Sequence, residues 1–259
     1  MEKALYITEY GYLNCYNFEY KRIYFGNEFC ERLIPSPDEL KMILGFAQDN
    51  LLDFSLITGF ITDGIMEQLE GLLETLFKIK PDSEIIINDW GLLKIVRKYQ
   101  FSLALGRLLT RQKKGPQVLR ILDGLPEETL EYLRSGCINR YFINFLKDRG
   151  INRIEVDNLF QGVKFENAGI NISLYFPYGY ITTSRFCFSN PRNRKAGNSL
   201  GIYLCRKECR NGHFILRNPD MPVPLTIKGN TVFFENKKIQ LPDHGNMVDR
   251  IIYQPRIPI

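Results

Sequence analysis

The pattern of apolar residues calls for an α/β fold on a parallel sheet, open or closed into a barrel, carrying a β-rich C-terminal extension. Three observations point there. Short apolar runs alternate with helix-like stretches from Arg22 to about Asn158. Repeated strand–helix units of this length lay successive strands parallel. Near Ile170 the pattern gives way to aromatic, strand-like segments and hairpin signals. We therefore divide the chain into residues 1–169, barrel-like, and residues 170–259, a cysteine-bearing segment and β-rich extension packed on the barrel. Its 259 residues suit one large domain with a smaller appendage.

The elements follow in order. "RIYFG" (Arg22 to Gly26) reads as a strand. "SPDELKMILGFAQDN" reads as a helix, because Ser36, Pro37 and Glu39 supply an N-cap, a first-turn proline and a capping-box acid. "DFSLITGF" is the next strand, and "DGIMEQLEGLLETLFKI" the next helix, with Leu69, Leu72, Leu73 and Leu76 on one face. "EIIIND" is a strand, "WGLLKIVRKY" a short helix and "FSLALGRLL" a strand. "PEETLEYLRSG" and "NRYFINFLKDRG" are helices closed by glycine, and "INRIEVDN" is a strand. Little room for a helix remains before Arg22, so the first unit is expected to be abbreviated. In the tail, "HFILRN", "LTIKGNTVFFENKKIQL" and "RIIYQP" read as short strands and hairpins, with Gly229-Asn230 as one turn.

Composition is that of a globular chain, 44% hydrophobic and 24% charged. The N-terminus shows no signal-peptide pattern, and no apolar run is long enough to span a membrane. A cytoplasmic protein is expected, in which clustered cysteines serve metals or catalysis rather than disulfides. Two histidines, His213 and His244, leave no material for a histidine dyad, and Ser184 has no histidine-bearing constellation around it. Neither a phosphate-binding loop nor a dinucleotide fingerprint is present.

The cysteines carry the chemistry. Three of the six stand in "RFCFSNPRNRKAGNSLGIYLCRKECR": Cys187, then Cys205 and Cys209 with three residues between them. Spacing alone leaves several readings open. Cys187, Cys205, Cys209 and His213 would make a closed zinc site. A 4Fe–4S cluster would need a fourth thiolate from Cys15, Cys30 or Cys137. A low-pKa thiol among arginines, or plain buried cysteine, are the others. The segment is basic: Arg185, Arg192, Arg194, Lys195, Arg206, Lys207 and Arg210 face one acid, Glu208. Within a net charge of +5, such a strip offsets anionic thiolates or contacts nucleic-acid phosphates.

Two further matches accompany this segment. "YFPYGYITTSRFCFS…RNR…GIYLCRKEC" resembles the cysteine segment of the collagenase-like peptidase superfamily, in its UbiU/UbiV branch, through Ser184, Arg185, Cys187, Asn193, Arg194, Cys205 and Cys209. Arg185 and Cys187 stand one residue further apart than in that pattern. "RIYFGNEFCERLIPSPDEL" resembles the UbiV strand that ends in a cysteine, which puts Cys30 at the remote ligand position. "INDWG" resembles another UbiV stretch through Asn88, Asp89, Trp90 and Gly91. The likeness runs from about Arg22 to Cys209; the tail beyond Cys209 does not match.

The resemblance implies a TIM-barrel-like fold, complete or incomplete, and a 4Fe–4S cluster held by Cys30, Cys187, Cys205 and Cys209. It implies a subunit, paired with a paralogous UbiU-like partner, in the oxygen-independent hydroxylation of a quinone precursor or similar aromatic, as in ubiquinone biosynthesis. It implies no active peptidase. Other members of the superfamily modify RNA, which makes an RNA-modifying or RNA-binding protein the alternative. A non-catalytic zinc-stabilised module using His213 is the third reading. In a barrel, residues at the C-terminal strand ends face the site. Asn88, Asp89 and Arg107 fall there and are the candidate catalytic residues, with Trp90 read as core or rim packing.

Overall fold

The computed structural model describes residues 1–136, 138–165, 169–189, 205–239 and 248–259. The strands are β1 (Glu2–Ile7), β2 (Arg22–Gly26), β3 (Asp53–Ile57), β4 (Glu84–Ile87), β5 (Ser102–Leu105) and β6 (Ile151–Asp157). They continue as β7 (Asn171–Phe176), β8 (Tyr178–Thr183), β9 (Phe214–Leu216), β10 (Leu225–Lys228), β11 (Thr231–Glu235) and β12 (Val248–Tyr253). The helices are α1 (Pro37–Asp49), α2 (Met66–Ile79), α3 (Leu93–Val96), α4 (Pro116–Ile121), α5 (Glu127–Ser135) and α6 (Arg140–Lys147).

Eight of these strands close into a parallel barrel, in the order β1-β12-β7-β6-β5-β4-β3-β2. Alternation along the strands sorts their side chains. Leu5, Ile7, Ile23, Phe25, Phe54, Leu56, Ile85 and Ile87 point outward and pack with Leu40, Ile43 and Leu44 of α1 and Leu69, Leu72, Leu73 and Leu76 of α2. On the other side, Ile154, Val156, Ile172 and Leu174 meet Ile143 and Leu146 of α6. Each such fully buried aliphatic contributes about 1.5–3 kcal/mol. The alternate residues, among them Ala4, Tyr6, Tyr24, Ile57, Ile86, Ala104, Tyr175 and Ile252, fill the interior.

Helix entry follows the sequence signals. At α1, Ser36 accepts from the Glu39 N–H, and the Glu39 carboxylate accepts from the Ser36 N–H at 2.7 Å, a complete capping box. Between β1 and β2 the described chain makes a 3-10 segment, Tyr10–Cys15, and no α-helix, so the first unit is abbreviated as expected.

The C-terminal portion divides differently from the expected boundary. "INISLYF" and "RIIYQP" become β7 and β12, parallel strands that close the barrel, with β12 between β1 and β7. The remaining strands form an antiparallel sheet, β8-β11-β10-β9. The expected turn at Gly229-Asn230 joins β10 to β11, with Lys228 opposite Thr231 and Gly229 at φ +61°. This sheet covers the C-terminal mouth of the barrel. Tyr180 and Phe233 from the sheet pack on Phe29, Leu33 and Leu108, which come from loops after β2 and β5. At the opposite end, Arg250 bonds Glu2 at 2.7 Å and Glu84 at 2.6 Å, and Arg153 bonds Asp249 at 2.6 Å, closing the floor with paired charges.

Candidate functional site

The loop after β2 begins at Gly26, whose φ of +129° suits glycine and whose added Cβ would lie 2.2 Å from the Ile57 carbonyl oxygen. Asn27 then folds the loop on itself. Its side-chain oxygen accepts from the N–H groups of Phe29 at 3.1 Å and Cys30 at 2.9 Å. This sets Cys30 at the barrel mouth, half-buried, at the edge of the Phe29–Phe233 cluster.

Three more cysteines arrive there from the cap. Cys187 follows β8, in a stretch fixed to the β10–β11 turn: the Phe188 N–H donates to the Gly229 carbonyl at 2.8 Å, and the Gly229 N–H to Ser189 Oγ at 2.9 Å. Cys209 sits in the 3-10 turn Glu208–Arg210, buried in the same cluster as Phe29, Leu33 and Ile259. Arg210 fastens that turn to Glu9 at 2.9 Å. The Cys205 sulfur accepts from the Lys207 N–H at 3.3 Å. Asn230, 7% exposed, ties the two halves together, its amide donating to the Phe29 carbonyl at 2.7 Å and also to the Ser184 carbonyl.

The four thiols share one electrostatic neighbourhood. Burial pushes the Cys209 thiol up to about 11, and Cys187, Cys30 and Cys205 push it further the same way. Burial likewise raises Cys30, assisted by Cys205 and Cys187 and opposed by an N–H bond and a positive charge from Arg32. Lys228 acts on Cys209 as a nearby cation. Both shifts favour the protonated thiol at Cys30 and Cys209. Among the described residues, no three histidine, cysteine, aspartate or glutamate side chains stand close enough to share a single metal ion. His213 is exposed, and Cys15 lies apart, packed against the α1 side of the barrel. Cys137, Asn193, Arg192, Arg194, Lys195 and His244 lie outside the described residues.

Beneath the cysteines runs a buried ion network. Arg107 is fully buried and donates to Glu28 at 2.6 Å, to Asp157 at 2.8 Å and to the Tyr178 carbonyl at 2.8 Å. Its guanidinium lies 3.9 Å from the Tyr175 ring centre. Lys114 pairs with the other Asp157 oxygen and sits over the Tyr180 ring at 3.3 Å. Burial draws Lys114 down to about 8, against the pull of Asp157. Burial alone would lower Arg107; its two carboxylate partners hold it well above its ordinary value instead. Two cations and two carboxylates thus balance in a space that water does not reach.

The other predicted site residues are accounted for locally. Asn88 is fully buried, donates to the Thr58 carbonyl at 2.9 Å and accepts from the Leu108 N–H at 3.1 Å, shaping two strand-end loops. Asp89 caps the turn after β4 by accepting from the Gly91 N–H at 2.8 Å. Trp90 packs edge-on against Phe145 at 5.7 Å on the rim. Glu28, Lys114 and Asp157 escaped sequence reasoning. A signal was there, since Asp157 ends a predicted strand and Glu28 precedes Cys30 by two residues.

A cavity of about 300 Å³ opens beside Cys30. Phe29 and Phe60 form apolar walls, Arg32 and Arg185 bring cationic heads, and Thr183, Ser184 and Asn230 complete the far side.

The sequence matches no protein-family model and no curated protein. Among solved structures, the chain is similar to the U32 peptidase Mk0906, with a TM-score of 0.48 and 10% identity over 100% of this chain and 94% of that one. It is also similar to Streptococcus suis SuiB bound to S-adenosylmethionine, with a TM-score of 0.31 and 16% identity over 67% of this chain and 38% of that one.

Proposed function

We propose that the chain is a 4Fe–4S cluster protein with Cys30, Cys187, Cys205 and Cys209 as ligands. One observation carries the reading. Cys30 is remote in sequence, yet it enters the electrostatic neighbourhood of the three cap cysteines. An all-sulfur donor set is what cluster iron takes.

When bound, the cluster would supply electron transfer. The chain's residues serve it in ways the site allows. The Lys207 N–H donates to the Cys205 sulfur, and Arg32 lies close enough to act on Cys30. With a cluster bound, that bond and the Arg32 and Lys228 charges would favour its more reduced, more negative state. Phe29, Leu33, Phe233 and Ile259 keep water from Cys209.

The sequence resemblance supports the rest of the reading: oxygen-independent hydroxylation of a quinone precursor or similar aromatic, together with a paralogous subunit. The deciding experiment measures iron, sulfide and zinc after anaerobic purification, on the wild type and on Cys30→Ala. About four irons and four sulfides are expected in the wild type, with depletion in the variant. Zinc in both proteins, without iron, sinks the proposal in favour of a local structural site.

A further inference from the structure

We infer that the cavity beside Cys30 binds a small aromatic carboxylate, its carboxylate paired with Arg32 and Arg185 and its ring against Phe29 and Phe60. The proposal names a substrate class, and that role rests on the cluster reading; binding itself does not.

The charge pattern is the first argument. Arginines at the core of this protein are paired: Arg22, Arg107, Arg153 and Arg250 each meet a carboxylate. Arg32 and Arg185, both exposed at the cavity, form no ion pair among the described residues. A planar guanidinium fork matches a carboxylate through two parallel hydrogen bonds. Glu31, the cavity's own carboxylate, is engaged elsewhere, accepting from the Thr62 N–H at 2.8 Å.

The second argument is construction. The lining comes from three elements, the β2 loop, the loop after β3 that carries Phe60 and the end of β8, and Asn230 ties the first to the last by bonding the Phe29 and Ser184 carbonyls. The hydroxyls are committed to the frame: Ser184 donates to the Phe186 carbonyl at 3.0 Å, and Thr183 bonds Thr231 at 2.8 Å. What remains for a ligand is two aromatic walls and two cations. That is the ratio of apolar lining to a few orienting groups typical of small-molecule sites, and a volume of about 300 Å³ lies at the small end of their range. A single substituted ring fills it. Cys30 lines the same cavity, so a ligand there lies against a cluster ligand.

The test uses the full chain, purified anaerobically, with benzoate as the probe and benzyl alcohol and inorganic phosphate as comparators. Calorimetry reads the affinities, and iron is measured on the same samples. Benzoate is expected to bind and benzyl alcohol to bind far more weakly. Arg32→Gln and Arg185→Gln are each expected to weaken benzoate by about tenfold or more, as loss of a charge-assisted pair implies. Both arginines are exposed, so both variants should fold. Cys209→Ser, altered outside the cavity lining, should lose iron and keep benzoate.

Equal binding of benzyl alcohol, or unchanged affinity in both arginine variants, overturns the assignment. So does tight binding of a short single-stranded RNA that depends on both arginines while benzoate is ignored. Iron without benzoate binding refutes the cavity and leaves the cluster standing. Benzoate binding without iron keeps the cavity and removes its role as a substrate site.

Discussion

Glu155 offers a sharp check on the polar interior of the barrel. It is fully buried on β6, and one oxygen accepts from the Tyr175 hydroxyl at 2.6 Å. The other oxygen has no partner among the described residues. Burial pushes its carboxyl from an ordinary 4.5 up to about 8, against the Tyr175 bond and with help from Glu84 and Glu28. The folded protein therefore holds this proton up to about pH 8, whereas the unfolded chain releases it near 4.5. Between those values the unfolded state binds fewer protons, so stability falls as pH rises. The limiting slope of one proton per pH unit amounts to roughly 2–3 kcal/mol between about pH 5.5 and 7.5. Glu155→Gln keeps the shape and can still accept from Tyr175, but it carries no titrating proton. Urea unfolding of both proteins across that range cancels the titrating groups that are not coupled to Glu155. The wild type should lose ground to the variant by about 2–3 kcal/mol over those two pH units. A difference that stays flat with pH would refute a protonated Glu155 and the closed, dry interior that produces it.

Two other outcomes test the frame around the site. Arg107→Met should cost about 3–5 kcal/mol in urea unfolding, because Glu28 and Asp157 are left buried without their shared cation; a loss under about 1 kcal/mol would mean the network is not closed to water. Asn230→Ala removes the bonds to Phe29 and Ser184, should cost about 1–3 kcal/mol, and should lower iron content by loosening the clamp on the cysteine loops. Unchanged iron at full occupancy would place the clamp outside the cysteine site's support.

The barrel was legible because its units repeat. The capping box at Ser36 and the leucine stripe on α2 mark helices whose apolar faces need a covering layer, and the apolar runs between them supply strands for it. What stayed hidden was pairing. "RIIYQP" reads as a strand from its apolar run, but nothing in six residues says whether its partners lie parallel or antiparallel, or that they are β1 and β7. Closure is a property of the whole ring. The site divides the same way. Cysteine spacing drew attention to the cap segment, and resemblance to Cys30, but Glu28 meets Arg107 and Lys114 meets Asp157 only because strand-end loops from separate stretches converge on one mouth.

That convergence also explains how buried charge and buried sulfur share so small a region. The Arg107 network is balanced internally, two cations against two carboxylates, so it exports little field toward the thiols. The charges that act on the cysteines are instead Arg32 and Lys228, with Lys207 contributing its N–H, all outside that network. Phe29, Tyr180 and Phe233 lie between the two layers, with ring centres 5.0–5.3 Å apart. The aromatic layer keeps water from bridging them. A polar network that stabilises the barrel mouth and a thiol site that needs unspent positive charge can then coexist, because each is satisfied on its own side of the rings.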